Sequence, residues 1–240
     1  MVRNDRRTRL LPKIILGQFV VGLIVICISL GVIFYAEGYR LNFSTFKIVK
    51  TGVVYLDFQP NDVTVTWNNL SKKESSNFVK NLTPGFYNFS ISKPGFTPWQ
   101  LQLQVQSQSV NDYNEIILFR SDIVTSNLSD TNKIAFLNAP TDVLASNAPD
   151  QLLSNAHEIW IGSQLVTRFA EPLQRAIWYP DLSHIVFQQG KEIRVIESSG
   201  QNDTLLATLS SEESTVFNIG NRGTELYFKD GDQYKVATIR

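Results

Sequence analysis

Cysteine is nearly missing from this chain, and so are histidine and methionine: one Cys, two His and one Met in 240 residues. The single cysteine, Cys27, lies inside an apolar run, so the rest of the chain has no disulfide framework, no thiol nucleophile and no cysteine metal site. Everything beyond that run must be held by an ordinary hydrophobic core, a habit of bacterial rather than secreted eukaryotic domains. With only His157 and His184 outside it, each at the start of an expected strand, zinc has little to bind, and a solvated strand-edge role is expected for both. No glycine-rich phosphate loop and no G-x-S-x-G elbow occurs. We therefore expect no catalytic site residues, no cofactor and no metal site. Asp230-Gly231-Asp232 lacks the spacing of a calcium loop and reads as a hairpin turn. Six Asn-x-Ser/Thr triplets are the chance yield of a chain rich in those residues.

What the sequence does have is one long uncharged stretch. Residues 14–35 contain fifteen Ile, Leu, Val or Phe among 22, with no charge between Lys13 and Glu37. At about 1.5 Å per residue this spans about 33 Å, enough for a lipid bilayer's hydrocarbon core, so 14–35 is expected as a transmembrane helix. Arg3, Arg6, Arg7, Arg9 and Lys13 precede it against Asp5 alone. Arg40, Lys47 and Lys50 follow it against Glu37. That bias predicts a cytoplasmic arm, 1–13, and an extracytoplasmic remainder, 36–240, of a single-pass protein in the cytoplasmic membrane. The competing reading is an export signal cut after Gly38, since Ala36-Glu37-Gly38 is a small-x-small triplet. The apolar run exceeds the usual signal-peptide length, which favours an uncleaved anchor.

Formal net charge is zero overall, but the part beyond the basic arm carries 17 Lys+Arg against 21 Asp+Glu, or −4. A weakly acidic surface excludes nucleic acid as a partner. The lipid bilayer, through 14–35, is the partner expected first.

Residues 36–51 show no period and read as a connector, with Tyr35 and Tyr39 as interfacial anchors and Gly38 and Arg40 at headgroup level. Strand patterning starts at Gly52-Val53-Val54-Tyr55-Leu56-Asp57-Phe58 and stops at the turn Pro60-Asn61-Asp62. Val63, Val65 and Trp67 alternate with Thr64 and Thr66. Tyr87, Phe89 and Ile91 alternate with Asn88, Ser90 and Ser92, and Trp99, Leu101, Leu103 and Val105 with four glutamines. Ile116 to Phe119 closes the segment. Short strands with turns rich in Pro, Gly and Asn predict a small antiparallel β-sandwich over 52–120.

Within it, Leu82-Thr83-Pro84-Gly85-Phe86-Tyr87 followed by Lys93-Pro94-Gly95-Phe96 and Trp99 resembles the second half of a PEGA domain. The tetrapeptide that names that family falls on Pro60-Asn61-Asp62-Val63, where only the proline is kept. The resemblance implies a non-catalytic module of envelope and surface proteins, commonly beside a membrane anchor.

The last half repeats itself. Asp181-Leu182-Ser183-His184-Ile185-Val186-Phe187 matches Asp130-Thr131-Asn132-Lys133-Ile134-Ala135-Phe136 in its Asp, Ile and Phe. A third copy places Leu226-Tyr227-Phe228 under Ile185-Val186-Phe187 and Gly231 under Gly190. Second strands are expected at 157–161, 192–196 and 233–236, and 138–155 as a long loop. A period near 41 with a hairpin in each copy is the pattern of propeller blades. The stretch from Trp178-Tyr179-Pro180-Asp181 to Ile196 resembles blades of TolB-type and WD-repeat-like propellers. Residues 121–240 hold fewer than three full blades, so an incomplete, open β-propeller-like module is expected. Its edges would be covered by a partner or a second copy, or the module would be a shortened one.

Asp181 is expected to shape a turn, because Asp130 takes the same place. Trp67 and Trp99 should be core, whereas exposure of Trp160 or Trp178 would favour stacking on sugar rings. The expected whole is a transmembrane helix plus an all-β ectodomain: a membrane-anchored envelope protein without enzymatic activity, binding wall polymer, surface glycan or a protein. The alternative is an extracytoplasmic glycan or peptide hydrolase with carboxylates gathered by the fold. A sensor is disfavoured by the shortness of the arm.

Overall fold

The computed structural model describes residues 5–42, 46–68, 70–74, 78–139, 150–213 and 215–240. The protein is mostly strand, in several antiparallel sheets that form no closed barrel among the described residues, preceded by one apolar helix. It divides into two compact units: Met1–Tyr55 with Phe78–Phe86 and Gln104–Asp112, and Leu56–Asn77 with Tyr87–Leu103 and Tyr113–Arg240.

Helix α1 runs from Asp5 to Ala36. It begins well before the apolar run, so most of the basic arm is helical rather than a separate tail. Helix initiation leaves four N–H groups without partners, and starting the helix in the polar arm keeps those groups out of the apolar stretch. Leu16–Ala36 is long and apolar enough to cross a membrane, and none of it is buried in protein. A helix this apolar on all sides has no polar face to offer water. Cys27 is exposed on it. Two residues past its end, Gly38 (φ +83°) donates its N–H to the Tyr35 carbonyl at 3.2 Å.

Residues 36–51 are more than a connector. Tyr39–Asn42 (β1) and Lys47–Lys50 (β2) form an antiparallel ribbon, with Tyr39 opposite Lys50 and Leu41 opposite Ile48. β1 alternates over only four residues and β2 sets two adjacent apolar residues between lysines, so periodicity does not announce them.

Seven strands follow: β3 (Gly52–Gln59), β4 (Val63–Trp67), β5 (Leu70–Glu74), β6 (Phe78–Leu82), β7 (Gly85–Ser92), β8 (Trp99–Val105) and β9 (Val110–Ile117). They form the sheets β6-β3-β9 and β5-β4-β7-β8. Alternation holds: Val54, Leu56, Phe58, Val63, Val65, Phe89, Ile91, Trp99 and Val105 are buried, while Gln100, Gln102, Gln104 and Gln106 are exposed. β5 and β6 have no counterpart in the sequence pattern, because the polar stretch between Trp67 and Leu82 carries no apolar period. Backbone pairing extends β4 into β5, from Trp67 opposite Leu70 to Val63 opposite Glu74.

In the second unit, β10 (Thr125–Asn127) and helix α2 (Thr131–Leu137) lead into β11 (Leu152–Ser154), β12 (Glu158–Ile161) and β13 (Gln164–Arg168). Then come β14 (Leu173–Trp178), β15 (His184–Gln189), β16 (Glu192–Glu197), β17 (Thr204–Thr208), β18 (Phe217–Gly220), β19 (Glu225–Asp230) and β20 (Gln233–Thr238). Three sheets result: β11-β12-β13, β14-β15-β16-β17 and β18-β19-β20-β10. The middle sheet is covered on both faces. Ile177, Val186, Ile193 and Val195 pack with Phe217, Ile219, Leu226 and Phe228. On the other side Leu173, Trp178, Ile185 and Phe187 pack with Ile159, Ile161 and Val166. Helix α2 caps the far face of the last sheet, where Leu137 and Ile134 meet Tyr227 and Val236.

Two of the matched sequence stretches fall on hairpins, β15–β16 and β19–β20, and one falls on a helix. Gly190 (φ +56°) and Gly231 (φ +59°) turn the β15–β16 and β19–β20 hairpins in a left-handed conformation that glycine adopts without strain. Residues 130–136, expected as the first strand, are instead the start of α2 with Asp130 as its N-cap. Both aspartates nonetheless do the same thing. Asp130 Oδ1 accepts from the N–H groups of Asn132 (2.9 Å) and Lys133 (3.3 Å), and Asp181 Oδ1 from Ser183 (2.8 Å) and His184 (3.0 Å). The motif starts a turn and leaves the next element open; tertiary burial decides between helix and strand. The edge left open in the sequence reading is partly closed within the chain, since β10 pairs with β20.

His184 is corrected too. It is 4% exposed rather than solvated, its Nδ1 lies 2.6 Å from Asp181 Oδ2, and its ring sits edge-on to Phe119 and Tyr179. Removing the Asp181 carboxylate therefore strands a buried ring nitrogen as well as two backbone donors. Asp181→Ala should cost about 2–4 kcal/mol, whereas Asp130→Ala, the loss of an exposed cap, should cost about 1 kcal/mol. Denaturant unfolding of the detergent-solubilised chain measures both, and equal costs would contradict the turn-lock role of His184.

Candidate functional site

Two backbone turns far apart in sequence meet the C-terminal strand of the second unit. Leu118 N–H donates to the Gln59 carbonyl (2.8 Å), Thr97 N–H to the Phe119 carbonyl (2.8 Å) and Arg120 N–H to the Ile239 carbonyl (3.0 Å). Together these bring the end of β3, the Lys93-Pro94-Gly95-Phe96 turn and the end of β20 around one cleft of about 510 Å³. Its lining includes Asp57, Gln59, Asn61, Phe96, Thr224 and Arg240. That size suits a small ligand or one unit of a polymer.

Arg240 organises the polar side. Its guanidinium donates to the Tyr179 hydroxyl (3.3 Å) and to Gln59 Oε1. Tyr179 in turn donates to the Gly223 carbonyl at 2.6 Å. Burial raises the Tyr179 phenol above its ordinary value, against the opposing effect of Arg240, so it stays a neutral donor. Phe96 supplies the apolar wall, with Lys93 and Arg120 each 5.8 Å from its ring centre. Lys93 is held by the Asn61 carbonyl (2.7 Å) and Arg120 is forked onto Asp122 (3.1 Å). An aromatic face, side-chain amides, a hydroxyl and a guanidinium are groups that bind hydroxyls and carboxylates. Asp57 is the one side-chain carboxylate among the lining residues.

The residues weighed from sequence lie elsewhere. Trp99 and Trp178 are buried, and Trp67 and Trp160 half-buried. Trp99 Nε1 donates to Glu197, and Asn202 clamps the Gln100 backbone from both sides, accepting its N–H (2.9 Å) and donating to its carbonyl (3.2 Å). Trp160 Nε1 donates to Glu158 (3.0 Å), and Trp178 Nε1 has no partner among the described residues. His157 is exposed. No group of three or more His, Cys, Asp or Glu able to hold a metal occurs among the described residues. Ser183, beside Asp181 and His184, donates to Glu115 and not to the imidazole.

Asp230 is a turn residue, and more. Its carboxylate accepts from Ser210 N–H (2.7 Å), Ser210 Oγ and Lys235 Nζ (2.6 Å). Sequence reasoning found Phe96 through its glycine turn but missed Gln59, Thr224 and Arg240, for which only three-dimensional proximity carries a signal. No family model matches the chain, and no curated protein matches it.

Burial by itself would raise the Asp230 carboxyl, but the hydrogen bonds from Lys235 and Ser210 outweigh it and hold it at about 2. A depressed carboxylate stabilises the fold above its unfolded value of about 3.9, and that contribution disappears as pH falls through about 2. Asp230→Asn should thus lower unfolding stability near neutral pH, with the gap to the unaltered chain closing between about pH 4 and pH 2. Denaturant titrations across that range would show it.

Proposed function

We propose that this chain is a single-pass envelope protein, N-terminus in the cytoplasm, whose β-units bind a polar polymer outside the membrane without cleaving it. The apolar helix, unburied by protein and preceded by a basic arm, supports the tether and its direction. The cleft carries the binding reading: a phenylalanine face beside Gln59, Asn61 and Arg240 matches a glycan or wall polymer bearing hydroxyls and carboxylates. The PEGA resemblance of 82–99 adds support, because the turn that supplies Phe96 is the turn that carries the resemblance. The three-sheet stack of 121–240 supports a propeller-like module reduced in blade number. Protein partners remain the second class of ligand on this reading.

The test uses the full chain in detergent with isolated cell wall. Co-sedimentation without release of soluble fragments is expected, and Phe96→Ala should weaken it by about tenfold, the loss of about 1.4 kcal/mol of contact. Fragment release that disappears in Asp57→Asn would replace binding by hydrolysis. Protease added to intact cells should degrade 36–240; protection until the membrane is opened would reverse the orientation.

A further inference from the structure

The ribbon β1–β2 poses a physical problem. Among the described residues it pairs with no other strand, and an isolated ribbon of two four-residue strands is marginal in water. Yet it displays apolar side chains outward. Phe46, at its turn, is 81% exposed, Ile48 is 71% exposed and the cross-strand Leu41 is 45% exposed. These are not scattered single residues: Leu41 and Ile48 face each other directly, and Phe46 lies two residues before Ile48.

The base of the ribbon is fixed beside the last turn of α1. The Tyr39 ring packs edge-on against Phe34 (5.3 Å), and the Arg40 guanidinium covers the Tyr35 ring at 3.7 Å while donating to the Tyr35 carbonyl (2.8 Å). Thr51 closes the other end of the base, its N–H and hydroxyl both reaching the Gly38 carbonyl at 3.0 Å. Lys50 lies over the Tyr39 ring at 4.6 Å, and Lys47 is exposed beside Ile48. Tyrosines, lysines and an arginine at the end of an apolar helix are the residues that settle at a bilayer surface. Apolar side chains ringed by cations are those of an element lying in that surface, with the cations on anionic headgroups.

We infer that the β1–β2 ribbon is a membrane-interface element: it lies in the headgroup region of the bilayer that α1 crosses, with Phe46, Ile48 and Leu41 at the headgroup–acyl boundary. The inference rests on the reading of α1 as a membrane span. The bilayer is the occupant because the ribbon is continuous with α1, with only Glu37 and Gly38 between them. Such a ribbon fixes the height and tilt of whatever follows it, where a flexible linker would leave both free.

The test exploits the lone cysteine. The full chain, labelled with the fluorophore NBD at Cys27, reports the span. The same label at Phe46→Cys, or separately at Ile48→Cys, each in a Cys27→Ser background, reports the ribbon. All are reconstituted in phosphatidylcholine–phosphatidylglycerol vesicles carrying a spin label either near the headgroup or deep in the acyl chain. Quenching of the Cys27 probe by the deep label, with blue-shifted emission of both ribbon probes and stronger quenching by the shallow label, supports the inference. Ribbon probes that emit as in water and are quenched by aqueous iodide instead, while Cys27 is still quenched from the deep position, overturn the ribbon and leave the span standing. A Cys27 probe untouched by the deep label overturns the span, and the ribbon assignment with it.

Discussion

A sheet with two apolar faces needs a neighbour on each side, and β14-β15-β16-β17 is such a sheet. Ile185, Val186 and Phe187 are all fully buried, so successive residues of one strand point into two different cores. That requirement sets the order of the second unit: β11–β13 against one face, β18–β20 against the other, and α2 over the last apolar surface. Each added layer buries a face that the preceding one leaves bare. The series stops at α2 on one side, where Leu137 is buried and Thr131, Asn132, Ala135 and Phe136 face solvent.

The same stack places the cleft. Tyr179 lies at the exit of β14, its hydroxyl on Gly223 and its ring against Phe119. Through Arg240 it reaches Gln59 at the end of β3. The cleft is therefore made by strand ends and turns, which vary cheaply, on a scaffold whose strands cannot vary without exposing a core. The Asn202 clamp on Gln100 does for the neighbouring strand what a continuous ladder does inside a sheet.

Much of this was legible beforehand. Strands β3, β4, β7, β8, β12, β15, β16, β19 and β20 follow from alternation or from a short apolar run closed by a Gly turn. Aspartates 130 and 181 were correctly matched as turn residues, yet the match could not distinguish α2 from β15, since an Asx turn satisfies the first donors of either. What distinguishes them is the burial of the run that follows: Ile185, Val186 and Phe187 are all buried, whereas of Thr131 to Leu137 only Leu137 is. The ribbon carries no sequence signal because its strands are four residues each, too short for a period to show. The cleft was half legible, through the turn ending in Phe96. Gln59 and Arg240, some 180 residues apart, share no sequence signal.

Strand β10 joins the sheet formed by the last strands of the chain, pairing Thr125 with Ala237 and Asn127 with Lys235. More than a hundred residues must be placed before that ladder exists, so it raises the contact order of the unit and belongs to the late steps of its folding. Until then the edge of β20 stays open and able to pair with another chain. In the folded chain three residues far upstream, 125–127, seal that edge, so a strand too short to build a core protects the last sheet from pairing elsewhere.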